Sequence, residues 1–272
     1  MSAQDEIATG DRFAFGENWA RFLKLVDSDR IATAEASLRT FLDVDDLAGQ
    51  RFIDVGSGSG LSSLAAYRLG ADVVSFDFDP QSVASTAELR RRYGSEDRWR
   101  VEEGSALDAD YLASLGTFDV VYSWGVLHHT GDMWSALHLI DQLVADGGLL
   151  WLALYNDQGR ASRIWTRVKR AYNGAGPTQR RAIVAGARAY FQLRSAPGRL
   201  ANRLAGKGVS SAPARGMDKR RDLVDWVGGF PFEVSRPEEI FDFYRRRGYE
   251  LRRMATAGGA LGCNQLLLER VR

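Results

Sequence analysis

A chain of 272 residues with 45% hydrophobic and 26% charged side chains can bury a full core without covalent staples. Its single cysteine, Cys263, excludes an internal disulfide and a cysteine-built zinc site, and suits a reducing compartment. The net charge of +1 hides an asymmetry: residues 156–221 hold sixteen Lys and Arg against two Asp, a block of +14 inside a body of −13.

The first residues, MSAQDEIATGDRF, lack the basic and apolar regions of a secretory signal. The longest apolar run, LLWLALY (149–155), falls far short of the ~20 residues of a membrane span. A cytoplasmic location and no transmembrane segment are expected.

In chain order, 15–42 reads as helix, with Trp19, Phe22, Leu23 and Val26 at i, i+3, i+4, i+7. RFIDVG (51–56) is a short buried strand, 61–70 a helix and ADVVSFD (71–77) a second strand. Residues 80–94 form a helix with Pro80 in its first turn and Gly94 past its end. WRVEEG (99–104) and FDVVYSW (118–124) are further strands around a short helix within 108–115. A helix at 132–148, stopped by two glycines, leads into a fifth strand, 149–155. Alternation of this kind, with near-continuous apolar strands, marks a parallel sheet covered on both faces. Amphipathic helices follow at 159–174 and 177–194, then a small-residue stretch, 196–216, expected to be the most mobile. The sheet pattern resumes with a helix and strand in 235–256 and a last strand at 264–271.

The stretch FIDVGSGSG (52–60) sets the chemistry. Gly56, Gly58 and Gly60 are spaced G-x-G-x-G, not the G-x-G-x-x-G of a dinucleotide loop, because Leu61 stands where the third glycine belongs. No lysine occurs in 51–68, so a phosphate-cradling P-loop is excluded. By itself the loop is also compatible with a plain tight turn.

With its surroundings the chain resembles the class I S-adenosylmethionine-dependent methyltransferases over roughly 40–156 and 235–272. FIDVGSGSG resembles their first motif, Asp77 in VVSFDFDP the acid that ends the second strand, and FDVVYSWGVLHH and LVADGGLLWLALY the later motifs. The resemblance implies an α/β, Rossmann-like, doubly wound seven-stranded sheet, mostly parallel with an antiparallel last strand, plus a helical lid insertion. It divides the chain into an N-terminal helical cap (1–45), a cofactor-binding core (46–156 and 235–272) and a basic helical lid (157–234). The implied cofactor is S-adenosyl-L-methionine. Gly56, Ser57, Gly58 and Gly60 let the backbone approach it without a Cβ in the way. Asp77 accepts from both ribose hydroxyls, with Asp79 the alternative. Asp54 holds the loop or the cofactor's ammonium. Many relatives carry an acid for the adenine amine after the third strand; here EGSAL (103–107) leaves Ser105 or the Ala106 backbone. Phe78, Ser123 and Trp124 complete the expected cofactor set.

His128 and His129 follow the fourth strand, at the edge where open α/β sheets bind ligands, and histidine titrates near neutrality. WGVLHH resembles the segment of small-molecule O-methyltransferases whose histidine is the base, and this carries over to His128; His129 is the second candidate. Either also suits a structural role, and Asp132 suits a helix cap better than a partner for His128. His138 is expected to pack. Neither NPPY nor DPPY, a mark of nucleic-acid amine methyltransferases, follows the fourth strand, so a small-molecule acceptor is expected, undergoing O- or N-methylation. Tyr155, Asn156, Trp226 and Phe230 are expected to line its cavity, and Phe15 and Trp19 either close the cofactor side or belong to the core.

The +14 block reads as solvated helix faces, as a receptor for an anionic acceptor, or as a docking surface for nucleic acid or lipid. No stable nucleic-acid partner and no metal are expected. A nicotinamide-dependent oxidoreductase and a non-catalytic cofactor-fold protein are the competing classes.

Overall fold

Short runs of β-branched and aromatic residues make the strands here, and Asp, Gly and Pro at their ends turn the chain into helices. In the computed structural model, which describes residues 2–23, 25–204, 219–258 and 260–271, seven strands form one sheet. They are β1 (Arg51–Val55), β2 (Asp72–Asp77), β3 (Trp99–Glu103), β4 (Phe118–Trp124), β5 (Val144–Tyr155), β6 (Tyr249–Ala255) and β7 (Cys263–Arg270). Their order is β3-β2-β1-β4-β5-β7-β6. β7 is antiparallel to both neighbours and the other pairs are parallel. This is the expected Rossmann-like sheet.

The helices, in chain order, are α1 (Ala3–Thr9), α2 (Phe15–Phe22), α3 (Ser28–Leu42), α4 (Leu61–Arg68), α5 (Pro80–Tyr93), α6 (Ala109–Leu115), α7 (Met133–Ile140), α8 (Arg160–Asn173), α9 (Pro177–Leu204), α10 (Lys219–Gly228) and α11 (Pro237–Arg245). Successive strand residues point to opposite faces, so adjacent residues enter different cores. Phe52, Val120 and Trp151 pack with Leu38 of α3, Leu64 of α4 and Leu89 of α5. Ile53, Val121 and Leu152 pack with Leu112 of α6, Leu137 of α7 and Tyr244 of α11. A third cluster, around Trp165, Tyr172, Ala187, Val227 and Phe232, joins α8, α9 and α10.

Three stretches depart from the sequence reading. The helix expected over 15–42 is two helices, because the Asp27 carboxylate accepts from the Arg30 N–H at 2.9 Å and starts α3 afresh. The helix expected to run to Gly148 ends at Ile140, and a 3-10 turn (141–143) leads into β5 at Val144. Gly147 and Gly148 therefore sit in the strand, where the register against β4 shifts between Phe118 and Val120. A Cβ on Gly148 would stand 2.9 Å from the Ala145 oxygen, so the glycine pair serves a bulge rather than a helix stop. Part of 196–216 continues α9 to Leu204; the rest lies outside the described residues. Among the described residues no helix is long and apolar enough to cross a membrane.

Gly60 starts α4 at φ 77° and ψ 5°, and a Cβ there would lie 2.9 Å from the Thr86 methyl and 3.0 Å from its backbone. Gly147 has φ 74° with open space around it. Gly60→Ala should therefore cost about 3 kcal/mol, strain and overlap together, and Gly147→Ala about 1 kcal/mol, strain alone. Urea unfolding of the two variants measures the difference; equal midpoints would remove the close-packing role of Gly60.

Candidate active site

The strand order reverses between β1 and β4, and crevices at such a reversal open at the carboxyl ends of the strands. A cavity of about 410 Å³ lies there. Its walls are the loop after β1, the end of β2, the loop after β3, the end of β4 and the N-terminal helices.

The glycine loop is tied inward. The Gly56 and Ser57 N–H groups both donate to the Phe76 carbonyl, at 2.9 and 3.0 Å. The Gly58 N–H donates to Asp77 Oδ2 at 2.9 Å, and Gly60 N–H to the Ser57 carbonyl at 2.8 Å. Amides spent in this way cannot form an anion nest, so the loop presents surface rather than a phosphate cradle. A Cβ on Gly56 would fall 2.2 Å from a Val126 methyl, and one on Gly58 3.0 Å from the Trp19 ring. Gly56, Ser57 and Gly58 line the cavity; Gly60 stands behind it, against α5.

Two carboxylates with raised proton affinity face the cavity, Asp54 buried and Asp77 half-buried. Asp54 ends a chain of buried donors: Trp99 Nε1–H to Ser75 Oγ (2.8 Å), Ser75 to Ser63 Oγ (2.8 Å), and Ser63 to Asp54 Oδ2 (2.5 Å). Burial pushes the Asp54 carboxyl up to about 7 against the serine hydrogen bond, and nearby Asp77 adds to the rise. Asp77 accepts from Gly58 and, at 3.0 Å, from the Asp79 N–H, and burial raises it to about 6. Asp79 is spent on structure: its carboxylate caps α5 through the Gln81 N–H and accepts from the Gly16 N–H, both at 2.9 Å. That leaves Asp77 as the acid at the strand tip.

The cavity's cover comes from the N-terminus. Phe15 and Trp19 line it, as do Arg12 and Glu6, which pair at 2.6 Å. Arg12 also stands 4.8 Å above the Phe78 ring and donates to the His129 carbonyl at 3.0 Å. The close approach of α2 depends on Gly16, whose Cβ would lie 2.5 Å from Asp79 Oδ2. Phe78, Ser105, Ala106 and Trp124 are all on the wall. Ser123 is not; its hydroxyl donates to the Val55 carbonyl at 3.0 Å and ties β4 to β1.

The two histidines differ by their proton positions. His129 lines the cavity and its Nδ1 lies 2.5 Å from the Pro231 carbonyl. A carbonyl only accepts, so Nδ1 carries the proton and Nε2 the lone pair. Burial pushes this ring down to about 3, and it is neutral at working pH. His128 is fully buried and stands off the cavity. Its Nδ1 accepts from the Tyr155 N–H at 3.2 Å, so its proton is on Nε2, where it is buried without a hydrogen-bond partner. Burial first, then His129 and Lys169, hold His128 well below the ordinary histidine range.

The residues expected to line an acceptor cavity lie elsewhere. Tyr155 stacks on His128 at 3.9 Å, Trp226 packs against Trp165 at 4.3 Å, and Asn156 accepts from the Asn264 side chain at 3.0 Å. Phe230 lies beneath the Arg170 guanidinium, and its carbonyl accepts from the Phe13 N–H at 2.9 Å. None of the four is on the wall of this cavity. The buried Lys169 sits among Tyr155, Trp226 and Phe232 and donates to the Trp226 carbonyl; burial lowers it to about 7. Sequence reasoning passed over Arg12, Glu6, Tyr122 and Val126 as wall residues, and Pro231 and Glu233 as the frame of His129. Gly16, between Phe15 and Trp19, is the residue that lets this cover come close. Among the described residues no His, Cys, Asp and Glu group is placed to hold a metal.

Residues 53–150 match the family model for a methyltransferase domain. The chain is 46% identical over 76 residues to the ribosomal protein L11 methyltransferase of Alteromonas mediterranea, covering 26% of each. It is 35% identical over 112 residues to a ubiquinone biosynthesis O-methyltransferase of Xanthomonas oryzae pv. oryzae, 41% of this chain and 45% of that one. It thus spans less than half the length of these curated relatives. Among solved structures, it is similar to magnesium protoporphyrin IX methyltransferase of Synechocystis PCC 6803 with bound SAH, at TM-score 0.56 and 14% identity, covering 94% and 95% of the two chains. A second neighbour is an O-methyltransferase family protein of Burkholderia thailandensis, at TM-score 0.53 and 15% identity, covering 88% and 56%. The fold is the one these solved methyltransferases share. Residues 53–150 are a methyltransferase domain, and S-adenosyl-L-methionine is the cofactor that its motif set supports.

The cavity fits that cofactor on physical grounds. Two carboxylates with raised proton affinity face, among the described wall residues, one paired Arg, Arg12, so a ligand bearing ammonium and sulfonium charges relieves them. Phe15 and Trp19 add aromatic faces for a cation.

The raised Asp54 value carries a stability consequence. A carboxyl raised from 3.8 to about 7 on folding disfavours the ionised folded state. Its cost is absent below about pH 4, grows up to about pH 7 and is constant above. Asp54→Asn should therefore melt higher than the parent at pH 8, with the gap closing toward pH 5, in thermal scans without cofactor. A gap independent of pH would refute this origin.

Proposed function

We propose that the protein transfers a methyl group from S-adenosyl-L-methionine to a hydroxyl of a small-molecule acceptor, with His129 receiving the hydroxyl proton. The observation that carries this reading is the His129 ring: on the cavity wall, with Nδ1–H fixed on the Pro231 carbonyl and the lone pair at Nε2. When bound, the cofactor supplies a methyl group already activated by the sulfonium charge. Alignment and proton removal are then the protein's share.

Asp77 holds the ribose, and Asp54 the ammonium end, beside the Gly56–Gly58 surface. Phe78, Ser105 and Ala106 form the adenine end of the wall. Phe15 and Trp19 cover the cavity and exclude water. Because His129 is only weakly basic, it takes the proton as the new bond forms rather than in a prior equilibrium. A hydroxyl acceptor agrees with the name of the ubiquinone biosynthesis O-methyltransferase relative. In the small-molecule reading, the missing NPPY or DPPY segment also counts against nucleic-acid amines.

Asp77→Asn should weaken S-adenosylhomocysteine binding by roughly 10²-fold, as two charge-assisted hydrogen bonds are degraded. Calorimetric titration measures it. His129→Ala should leave that affinity within a few-fold and lower turnover of phenolic acceptors by roughly 10²-fold, followed by S-adenosylhomocysteine release. Unchanged turnover in His129→Ala would remove the proton-acceptor role while leaving the cofactor site standing.

A further inference from the structure

Helices α8 and α9 contain eleven Lys and Arg and no Asp or Glu. Their apolar faces are consumed: Trp165, Tyr172 and Ala187 pack with Val227 and Phe232. The opposite side of α8 repeats at helical spacing, with Arg160, Arg163 and Arg167 exposed around Ile164. Among the described residues none of these three arginines meets a carboxylate, and the same holds for the exposed Arg181 and Arg188 of α9. Cations outside this region are commonly paired, as with Arg68 and Glu35 or Arg90 and Glu96.

Ile164, among the three arginines of α8, is 56% exposed, and Leu193 of α9 is 75% exposed. Unpaired guanidinium groups interleaved with bare aliphatic side chains constitute the pattern of an interfacial helix, in which the cations meet phosphates and the aliphatics enter the acyl boundary. A second copy of the chain would set one positive face against another. A nucleic acid would satisfy the arginines and leave Ile164 and Leu193 uncovered, since neither offers a ring on which a base stacks.

We propose that the exposed face of α8 and α9 docks the protein on the surface of an anionic lipid bilayer. The test is co-sedimentation of the full chain with vesicles of phosphatidylglycerol and phosphatidylcholine, against vesicles of phosphatidylcholine alone, at low and high salt. Binding should require phosphatidylglycerol and weaken with salt. The triple variant R160Q/R163Q/R167Q should lose on the order of 10²-fold in affinity. I164S/L193S should lose about tenfold or more while keeping the salt dependence. Circular dichroism and an unchanged S-adenosylhomocysteine affinity check that both variants are folded. Equal binding to both vesicle types, or no binding to either, overturns the proposal. So does an oligonucleotide bound more tightly than the anionic vesicles with I164S/L193S indistinguishable from the parent.

Discussion

The site depends on two carboxylates at the ends of β1 and β2, Asp54 buried and Asp77 half-buried. Asp54 is held by a line of hydroxyls and an indole N–H, and Asp77 by the amides of Gly58 and Asp79. Neither has a full counter-charge, and burial raises both. A fold keeps such groups only where something else supplies the missing charge. The glycine loop follows from the same constraint. Its amides are turned onto the Phe76 carbonyl and Asp77, which fixes the loop and leaves a bare backbone surface on the cavity.

The second constraint is long-range. The segment around Pro231 lies along the turn after β4: the Glu233 N–H donates to the His128 carbonyl at 2.9 Å, and the Glu233 carboxylate accepts from the Gly131 and Met133 N–H groups at 3.1 Å. This frame puts the Pro231 carbonyl on His129 and sets which nitrogen of the ring is bare. Arg12 reaches the same turn from the other side through the His129 carbonyl. The end of β4 is thus held between the N-terminal cover and the segment after α10. The His129 ring and the turn that carries it are thus fixed by parts of the chain more than a hundred residues away.

Much of the architecture was legible in the residues. Apolar strand runs, Pro80 with Asp79 before it, and Gly-terminated helices announced the alternation, since each is a local backbone preference. The misread stretches were those in which one residue type serves two purposes. Asp27 interrupts a continuous apolar period with a cap, and Gly147 and Gly148 permit a bulge as readily as they stop a helix. Asp77 differs from Asp79 along the chain by position; in the structure the Asp79 carboxylate accepts from Gln81 and Gly16, and that of Asp77 from Gly58 and the Asp79 N–H.

The glycine spacing of the loop, the acid at the tip of β2 and the concentration of charge in one segment can be read along the chain, because each rests on residue type and short spacing. Which histidine meets the cavity is a matter of contacts between distant segments. His128 and His129 are adjacent and chemically equal along the chain. They part because a peptide carbonyl at residue 231 holds the proton of one on Nδ1, while the amide of Tyr155 occupies the lone pair of the other.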